Sequence, residues 1–370
     1  MRLMVSAGGT GGGIYPALAV LQALGDKPEE ILWVGGEGGM ETDLVRRAGV
    51  PFKSIPAAGV HGVGLKLIGN VFRLVRGYFA ARKLVRTFRP DVLFFTGGYV
   101  AIPTGMAGIK APIALCLPDI EPNLALKFLS RFAAKIAVPV EESRQYFAKK
   151  EAVEVTGYPT RPSLNKLERE AAITAFDLDP TKPVLLVTGG SLGARSINQA
   201  VVDVLPELLS FTQVIHLTGE QTWEIVEAVL PQLTEAQKAV YRPFRFLHEE
   251  MNAAFSAADL VVSRGGGSVL GELPEFGLPA ILVPYPYAWD TQIVNAGYLA
   301  DHEAAVVVRD QDLDAELLPT LKRLMVTDSA RRNEMKSAMQ GLAQPGAADK
   351  IAAMLVNLTS PTPANVKGMD

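Results

Sequence analysis

The 370-residue sequence has a single cysteine, Cys116, so no internal disulfide framework can staple it, and the lone thiol fits a reducing compartment and a packing role. Net charge is also missing: the formal balance is −3, which excludes an overall basic field that would draw the molecule to nucleic acid. No unbroken apolar run reaches membrane-spanning length. Met1–Ala7 runs straight into glycines, with no stretch resembling a signal peptide. The chain is therefore expected at the cytoplasmic side, at most resting on a membrane. One segment lacks charge of one sign. From Leu44 to Pro90 there is no Asp or Glu, while Arg46, Arg47, Lys53, Lys66, Arg73, Arg76, Arg82, Lys83, Arg86 and Arg89 lie there beside Leu65, Leu67, Ile68, Val71, Phe72, Leu74 and Val75. That pairing of cations with apolar side chains suggests an anionic membrane surface for residues 44–90; the ordinary alternative is a basic, solvated face on a buried helix. No aromatic platform or recognised module accompanies the cations, so nucleic acid is not expected.

What is present is the composition of a globular protein, 48% hydrophobic and 20% charged, in a chain longer than one core usually organises. Short β-branched runs alternate with longer helix-like segments, the pattern of parallel sheets covered by helices. Strands are predicted at 2–7, 31–35, 52–56, 92–96, 113–117, 136–140 and 153–156, and again at 184–188, 213–217, 241–247, 260–263, 280–284 and 305–308. Between the sets, Gly157–Pro183 holds four prolines and a short charged helical stretch, Leu164–Phe176, which reads as a connection. Both halves open alike, with a strand, a glycine-rich turn and a helix. The expected fold class is α/β, two Rossmann-like parallel-sheet domains facing a cleft, with ligands at the carboxyl ends of the strands. The expected domains are 1–160, with a C-terminal helix at 341–358 packing back on it, and 161–340; residues 359–370 read as a polar, disordered tail.

Three glycine turns carry the chemistry. Gly8-Gly9-Thr10-Gly11-Gly12-Gly13 precedes Ile14-Tyr15-Pro16 and a helix expected over Ala17–Leu24, and its glycines let backbone N–H groups approach an anion. Thr10, Gly11, Gly12 and Gly13 are the candidate diphosphate binders, with Tyr99 of Gly97-Gly98-Tyr99-Val100. A nicotinamide dehydrogenase is a rival, since Glu37 closes the second strand, but the glycine spacing is not GxGxxG. Gly189-Gly190-Ser191-Leu192-Gly193 is the second turn. It also reads as G-x-S-x-G, a hydrolase elbow, with His216, His248 and His302 as conceivable partners and no upstream oxyanion glycine motif. The third, Arg264-Gly265-Gly266-Gly267-Ser268-Val269-Leu270-Gly271-Glu272, places Ser268 and Glu272 one helical turn apart, so that Glu272 can accept ribose hydroxyls while glycine N–H groups hold a diphosphate. Pro284–Gln292 then brings polar side chains to a helix start, where Asp290 can also serve as a cap.

These turns, with Gly157-Tyr158-Pro159-Thr160-Arg161, occur in the order of the lipid II-forming N-acetylglucosaminyltransferases of the GT-B superfamily, and the chain resembles that family over residues 1–358. The resemblance implies an inverting, metal-independent, cofactor-free transferase of peptidoglycan synthesis, and so of cell-wall biogenesis, cell shape and division. It implies UDP-N-acetylglucosamine as donor and undecaprenyl-pyrophosphoryl-N-acetylmuramyl-pentapeptide as acceptor, at the cytoplasmic face of the bacterial membrane. By position it implies Ser191, Gly266, Gly267, Ser268 and Val269 for the diphosphate, Glu272 for ribose, Leu247 and Arg161 for uracil, and Thr291 and Gln292 for the sugar. A related enzyme acting on another lipid, and a non-catalytic sugar-nucleotide binder, are the alternatives. The sequence departs from the family at Gly13, where the family has histidine, and at Cys116-Leu117-Pro118-Asp119, which replaces a His-Glu-Gln-Asn segment.

Inverting transfer needs a base for the acceptor hydroxyl and donors for the departing UDP. Asp119, at the end of a strand, is the first candidate base, with Glu121 and His61 in reserve; Asp119 or Glu121 can instead cap the next helix. The strings Asp177-Leu178-Asp179 and Asp312-Leu313-Asp314 read as helix caps and not as a metal site.

Overall fold

The computed structural model describes residues 1–8, 11–39, 41–57, 65–161, 164–190, 193–286 and 291–359, with backbone alone at 65–69 and 71. Thr10, His61 and Ser191 therefore lie outside the described residues, as do Asp290 and the tail from 360. The chain divides into two compact units, Met1–Arg161 joined by the segment from Gly346 onward, and Pro162–Pro345.

The first unit is built on a seven-stranded sheet whose described pairs are all parallel: β1 (Arg2–Ser6), β2 (Glu30–Gly36), β3 (Phe52–Ile55), β4 (Val92–Phe95), β5 (Ile113–Cys116), β6 (Lys135–Val138) and β7 (Val153–Val155), in the order β3-β2-β1-β4-β5-β6-β7. The second unit repeats the scheme with β8 (Val184–Thr188), β9 (Gln213–Leu217), β10 (Tyr241–Phe244), β11 (Leu260–Ser263), β12 (Ala280–Leu282) and β13 (Ala305–Val307), ordered β10-β9-β8-β11-β12-β13. Runs such as Val92–Phe95, Ile113–Cys116 and Leu260–Ser263 are buried at every position, because helices cover both faces of a parallel sheet and each side chain needs an apolar environment. Pro243 sits in β10, an edge strand, where a missing N–H breaks no ladder on the open side.

Every predicted strand is present, most of them to within a residue or two; the run from Tyr241 stops at Phe244 instead of Leu247. The first helix is a larger correction. It spans Gly11–Leu24, so the last three glycines of the first turn are its opening turn and Pro16 lies inside it. Burial of Ile14, Ala17, Val20, Leu21 and Leu24 holds this helix on the sheet despite the donor that Pro16 removes. The helix Ala347–Asn357 brings Ile351, Ala352, Met354 and Leu355 into the same cluster. In the connection, the helix is limited to Arg169–Thr174. Cys116 lies in the first core, where burial pushes its thiol up to about 12, an inert packing residue.

Both strand orders reverse direction once, between β1 and β4 and between β8 and β11. Such a switch point opens a crevice at the carboxyl ends, because the two flanking connections leave on opposite faces. Ser6 pairs with Phe95 and Thr188 with Ser263 at those ends, so each glycine turn emerges beside its counterpart.

Candidate active site

In the second unit, Gly190 and Gly193 adopt φ of 75° and 76°, and Gly193 N–H donates to the Gly190 carbonyl at 3.0 Å. A Cβ on Gly189 would lie 2.2 Å from the Ala194 nitrogen. All three glycines are thus required by the turn itself. Beyond β11, Gly265 is pressed against the helix Thr291–Asp301: its Cβ would meet the Gln292 carbonyl at 2.5 Å, and the buried Asn295 amide donates to the Gly265 carbonyl at 3.0 Å. Gly266 differs. Its φ is −67°, and a Cβ there would meet nothing within 4 Å, so neither conformation nor packing calls for glycine.

Ser268 and Glu272 are not on one α-helix, contrary to the reading of their spacing. Gly267–Leu270 forms a 3-10 turn, and the α-helix begins at Glu272 and runs to Phe276. Pro274 explains the break: it lacks the N–H that would bond back to Leu270 in a continuous helix. Val269 is buried, while Ser268 and Glu272 are half-buried at the mouth of this turn.

Behind the turn, Arg264 is caged. Its guanidinium donates to Asp310 at 2.5 Å, to the Ser196 hydroxyl at 2.7 Å and to the Val283 carbonyl at 3.1 Å, and lies 5.3 Å from the centre of the Tyr285 ring. Ser196 in turn donates to Asp310 at 2.6 Å. This fixes the ends of β11 and β12 against the helix Arg195–Asp203. Sequence reading missed the cage because Asp310 stands far along the chain from Arg264. Gln292 accepts the Tyr285 N–H at 2.9 Å, and Thr291 opens the same helix. Leu247 is buried in the loop after β10, next to the exposed Phe246. Arg161 belongs to the first unit, its guanidinium 5.2 Å from the centre of the Tyr15 ring.

In the first unit, Gly11–Gly13 form the first turn of a helix at the β1–β4 crevice, where N–H groups have no intrahelical acceptor. Thr96 donates to the Gly13 carbonyl at 2.6 Å. A Cβ on Gly13 would only touch Thr96, at 3.4 Å, and Gly13 is not in the left-handed region. Glycine at this position is therefore not dictated by space. Gly8 is glycine for a reason the sequence did not reveal. The carboxylate of Glu41, 1% exposed, crowds the place of its Cβ at 2.9 Å and that of Gly39 in the same manner, whereas at Gly35 the Phe52 ring, 2.5 Å from a Cβ, is the nearer obstacle. The Gly36 N–H donates to Glu41 at 2.8 Å. Burial first, and the Glu41 charge second, hold the Tyr99 hydroxyl above its usual range, so it remains a donor at neutral pH.

Asp119 and Glu121 lie half-buried after β5, and Asp119 has partners of its own. Neither caps the next helix. Asn123 does so, accepting the Leu126 N–H at 3.1 Å. Glu121 lies close enough to Tyr146 to help raise that hydroxyl's pKa, after burial. The two Asp-x-Asp strings are not caps either: Asp179 accepts from Thr181 N–H and hydroxyl at 2.9 and 2.6 Å, Asp177 meets Arg242 at 3.2 Å, and Asp312 meets Arg309 at 2.5 Å with no capping bond. His216, a conceivable hydrolase partner, is fully buried with both ring nitrogens engaged.

Two doubly wound parallel-sheet units with glycine turns at both switch points define a GT-B glycosyltransferase architecture. Residues 3–138 match the glycosyltransferase family 28 N-terminal domain and residues 184–351 the glycosyltransferase family 28 C-terminal domain. The chain belongs to glycosyltransferase family 28. Among its relatives is the UDP-N-acetylglucosamine--N-acetylmuramyl-(pentapeptide) pyrophosphoryl-undecaprenol N-acetylglucosamine transferase of Desulforamulus reducens, 36% identical over 95% of this chain and 97% of the relative. The protein of the same description from Listeria welshimeri is 35% identical, over 97% and 99%. The crystal structure of Acinetobacter baumannii MurG superposes with a TM-score of 0.74 at 26% identity, covering 96% of this chain and 99% of that one.

Proposed function

We infer that this protein is an inverting N-acetylglucosaminyltransferase that moves N-acetylglucosamine from UDP to undecaprenyl-pyrophosphoryl-N-acetylmuramyl-pentapeptide, the step from lipid I to lipid II in peptidoglycan synthesis. The observation that carries this is similarity over nearly the whole length of both domains to transferases described by that reaction. The donor is assigned to the second unit. Gly266, Gly267, Ser268 and Val269, with Ser191, hold the diphosphate, and the open space over Gly266 supports a ligand there. Glu272 accepts ribose hydroxyls, Leu247 serves the uracil, and Thr291 and Gln292 serve the sugar. The acceptor diphosphate is assigned to Thr10, Gly11, Gly12 and Gly13 with Tyr99, where N–H groups of a helix's first turn and a protonated hydroxyl can donate.

In the reaction, the acceptor hydroxyl oxygen attacks the anomeric carbon, its proton passes to a base, and the bond from that carbon to the UDP oxygen breaks with inversion. Asp119 is assigned as the base, with Glu121 or His61 as the alternatives; the cap at Asn123 leaves Asp119 and Glu121 clear of that structural duty.

The first unit is assigned to the membrane surface through residues 44–90. Along the helix Leu65–Phe88, Phe72, Val75 and Phe79 are 62%, 48% and 61% exposed beside the exposed Arg73, Arg76, Arg82, Lys83 and Arg86. A merely solvated basic face would not present two phenylalanines. Among the described residues no helix is long and apolar enough to cross a membrane. Turnover of UDP-N-acetylglucosamine with the lipid-linked muramoyl pentapeptide, with a diacylglycerol and without acceptor tests the assignment. Transfer to the first alone supports it; transfer to the diacylglycerol, or to neither, overturns it.

A further inference from the structure

A buried chain of polar side chains stands behind the second glycine turn. Gly193 packs so closely on the Thr218 carbonyl that a Cβ would lie 2.2 Å from that oxygen. The carbonyl is held from the other side by two donors, the Asn198 amide at 2.8 Å and the Thr222 hydroxyl at 2.7 Å. Asn198 also donates to the Thr222 oxygen at 2.7 Å, so both of its amide hydrogens are used. Its remaining oxygen therefore accepts, and the donor is the His216 Nε2–H at 3.1 Å. That fixes the tautomer: His216 Nδ1 accepts from the Tyr241 hydroxyl at 2.9 Å. Asn198, His216, Thr218 and Thr222 are buried, and so is Tyr241, so each orientation is set by its neighbours rather than by water.

The elements linked are β9, β10, the helix Arg195–Asp203 and the start of the helix Trp223–Val229, and what they converge on is one carbonyl. Thr222 stands at the N-cap position of that last helix but makes no capping bond; its hydroxyl is committed to Thr218 and Asn198 instead. We propose that Asn198 and Thr222, oriented through His216 and Tyr241, are positioning residues that fix Gly193, the last residue of the second glycine turn, at the entrance of the helix Arg195–Asp203 and thereby set the affinity for the donor diphosphate. This rests on the assignment of that turn to UDP-N-acetylglucosamine. The side chains touch no substrate. They act through the Thr218 carbonyl on which Gly193 rests: Gly193 leads into the helix Arg195–Asp203, and a shift of a fraction of an ångström there re-aims the N–H groups of that helix's first turn away from the phosphates.

Thr222→Val keeps shape and loses the hydroxyl, and Thr222→Ser restores it. In calorimetric titration of the full chain with UDP, the valine variant is expected to bind about tenfold more weakly and the serine variant within about twofold of the parent. The Michaelis constant for the donor rises in step while that for the acceptor does not. Asn198→Asp, which sets a carboxylate oxygen against the Thr218 carbonyl, shows a larger loss of the same kind. A merely structural network gives a different outcome, lower thermal stability with unchanged UDP affinity in the folded fraction, and that result in Thr222→Val overturns the proposal even if Asn198→Asp fails to fold. Equal weakening by valine and serine also overturns it. Failure of the unmodified chain to bind UDP instead removes the donor assignment, and this inference with it.

Discussion

The exposed face of the helix Leu65–Phe88 gives a membrane prediction whose two components separate experimentally. Full burial of a phenylalanine is worth about 1.5–3 kcal/mol, and Phe72 and Phe79 are 62% and 61% exposed, so each has about 1.5 kcal/mol left to gain on entering a lipid interface. Replacing both by serine should lower partitioning by about 3 kcal/mol, roughly a hundredfold. Replacing Arg73, Arg76 and Arg82 by glutamate changes the charge by two at each position. At about 1 kcal/mol per charge near an anionic leaflet, this removes about 6 kcal/mol at low salt. The charge component is screened as the Debye length falls from about 10 Å at 0.1 M salt to about 3 Å at 1 M, whereas the aromatic component is not. Co-sedimentation with phosphatidylglycerol vesicles at both salt concentrations, and with phosphatidylcholine vesicles, reads the two apart. The glutamate variant should detach from anionic vesicles at low salt, and turnover on a water-soluble acceptor analogue should be preserved in both variants. A glutamate variant that sediments as the parent does at low salt refutes the reasoning and returns this helix to an ordinary solvated face.

For the donor, Glu272→Ala should weaken UDP by about 1.5–3 kcal/mol through loss of a charged acceptor for the ribose hydroxyls, and unchanged calorimetric affinity in a folded variant would remove the assignment. Asp119→Asn should lower turnover by about 10² to 10⁴ with donor affinity intact; near-normal turnover, with loss in Glu121→Gln or His61→Gln, moves the base there. Acid sensitivity should follow His216, whose pKa burial depresses from 6.5 to about 3. Below pH 6.5 the unfolded chain binds a proton that the folded one refuses, so this contribution is fully present above pH 6.5 and is lost as pH falls towards 3, with a slope of up to about 1.4 kcal/mol per pH unit. The difference in unfolding free energy between the parent and His216→Gln should shrink over that window, and a pH-independent difference would contradict the buried neutral imidazole. Gly13→Ala should fold as well as the parent or better, since a Cβ only touches Thr96 and alanine favours the helix by about 1 kcal/mol; a large drop in melting temperature would mean the helix entrance is tighter than described.

Strands such as Val184–Thr188 and Leu260–Ser263 were legible to the residue because a strand covered on both faces must be apolar throughout, and polar or glycine residues bound it. The Tyr241 run misled because Arg245–Leu247 extends the pattern after the pairing has ended. Helix starts were harder. Gly11–Gly13 and Pro16 argue against a helix locally, and only packing of its apolar face on the sheet overrides them. The spacing of Ser268 and Glu272 matched a helical turn, but Pro274 divides the segment. Positions of candidate side chains at strand ends were readable, since topology fixes them. Their supports were not. The partners of Arg264, and the chain from Tyr241 to Thr218, are joined across long stretches of sequence by contacts that no local pattern encodes.

The carboxylate of Glu41 fills the space that side chains at Gly8 and Gly39 would need. Those two positions are therefore not independently variable: each is locked to the identity of a single residue on the helix Glu41–Arg47. In a lineage of such proteins, alanine at Gly39, where a Cβ would overlap the carboxylate, becomes admissible only after Glu41 has been shortened. The order of substitutions is thus constrained, with the loss of Glu41 as the gateway step. A double-mutant cycle of Gly39→Ala with Glu41→Ala would show this as strong sign epistasis, the alanine at 39 being harmful alone and tolerated in the company of the second.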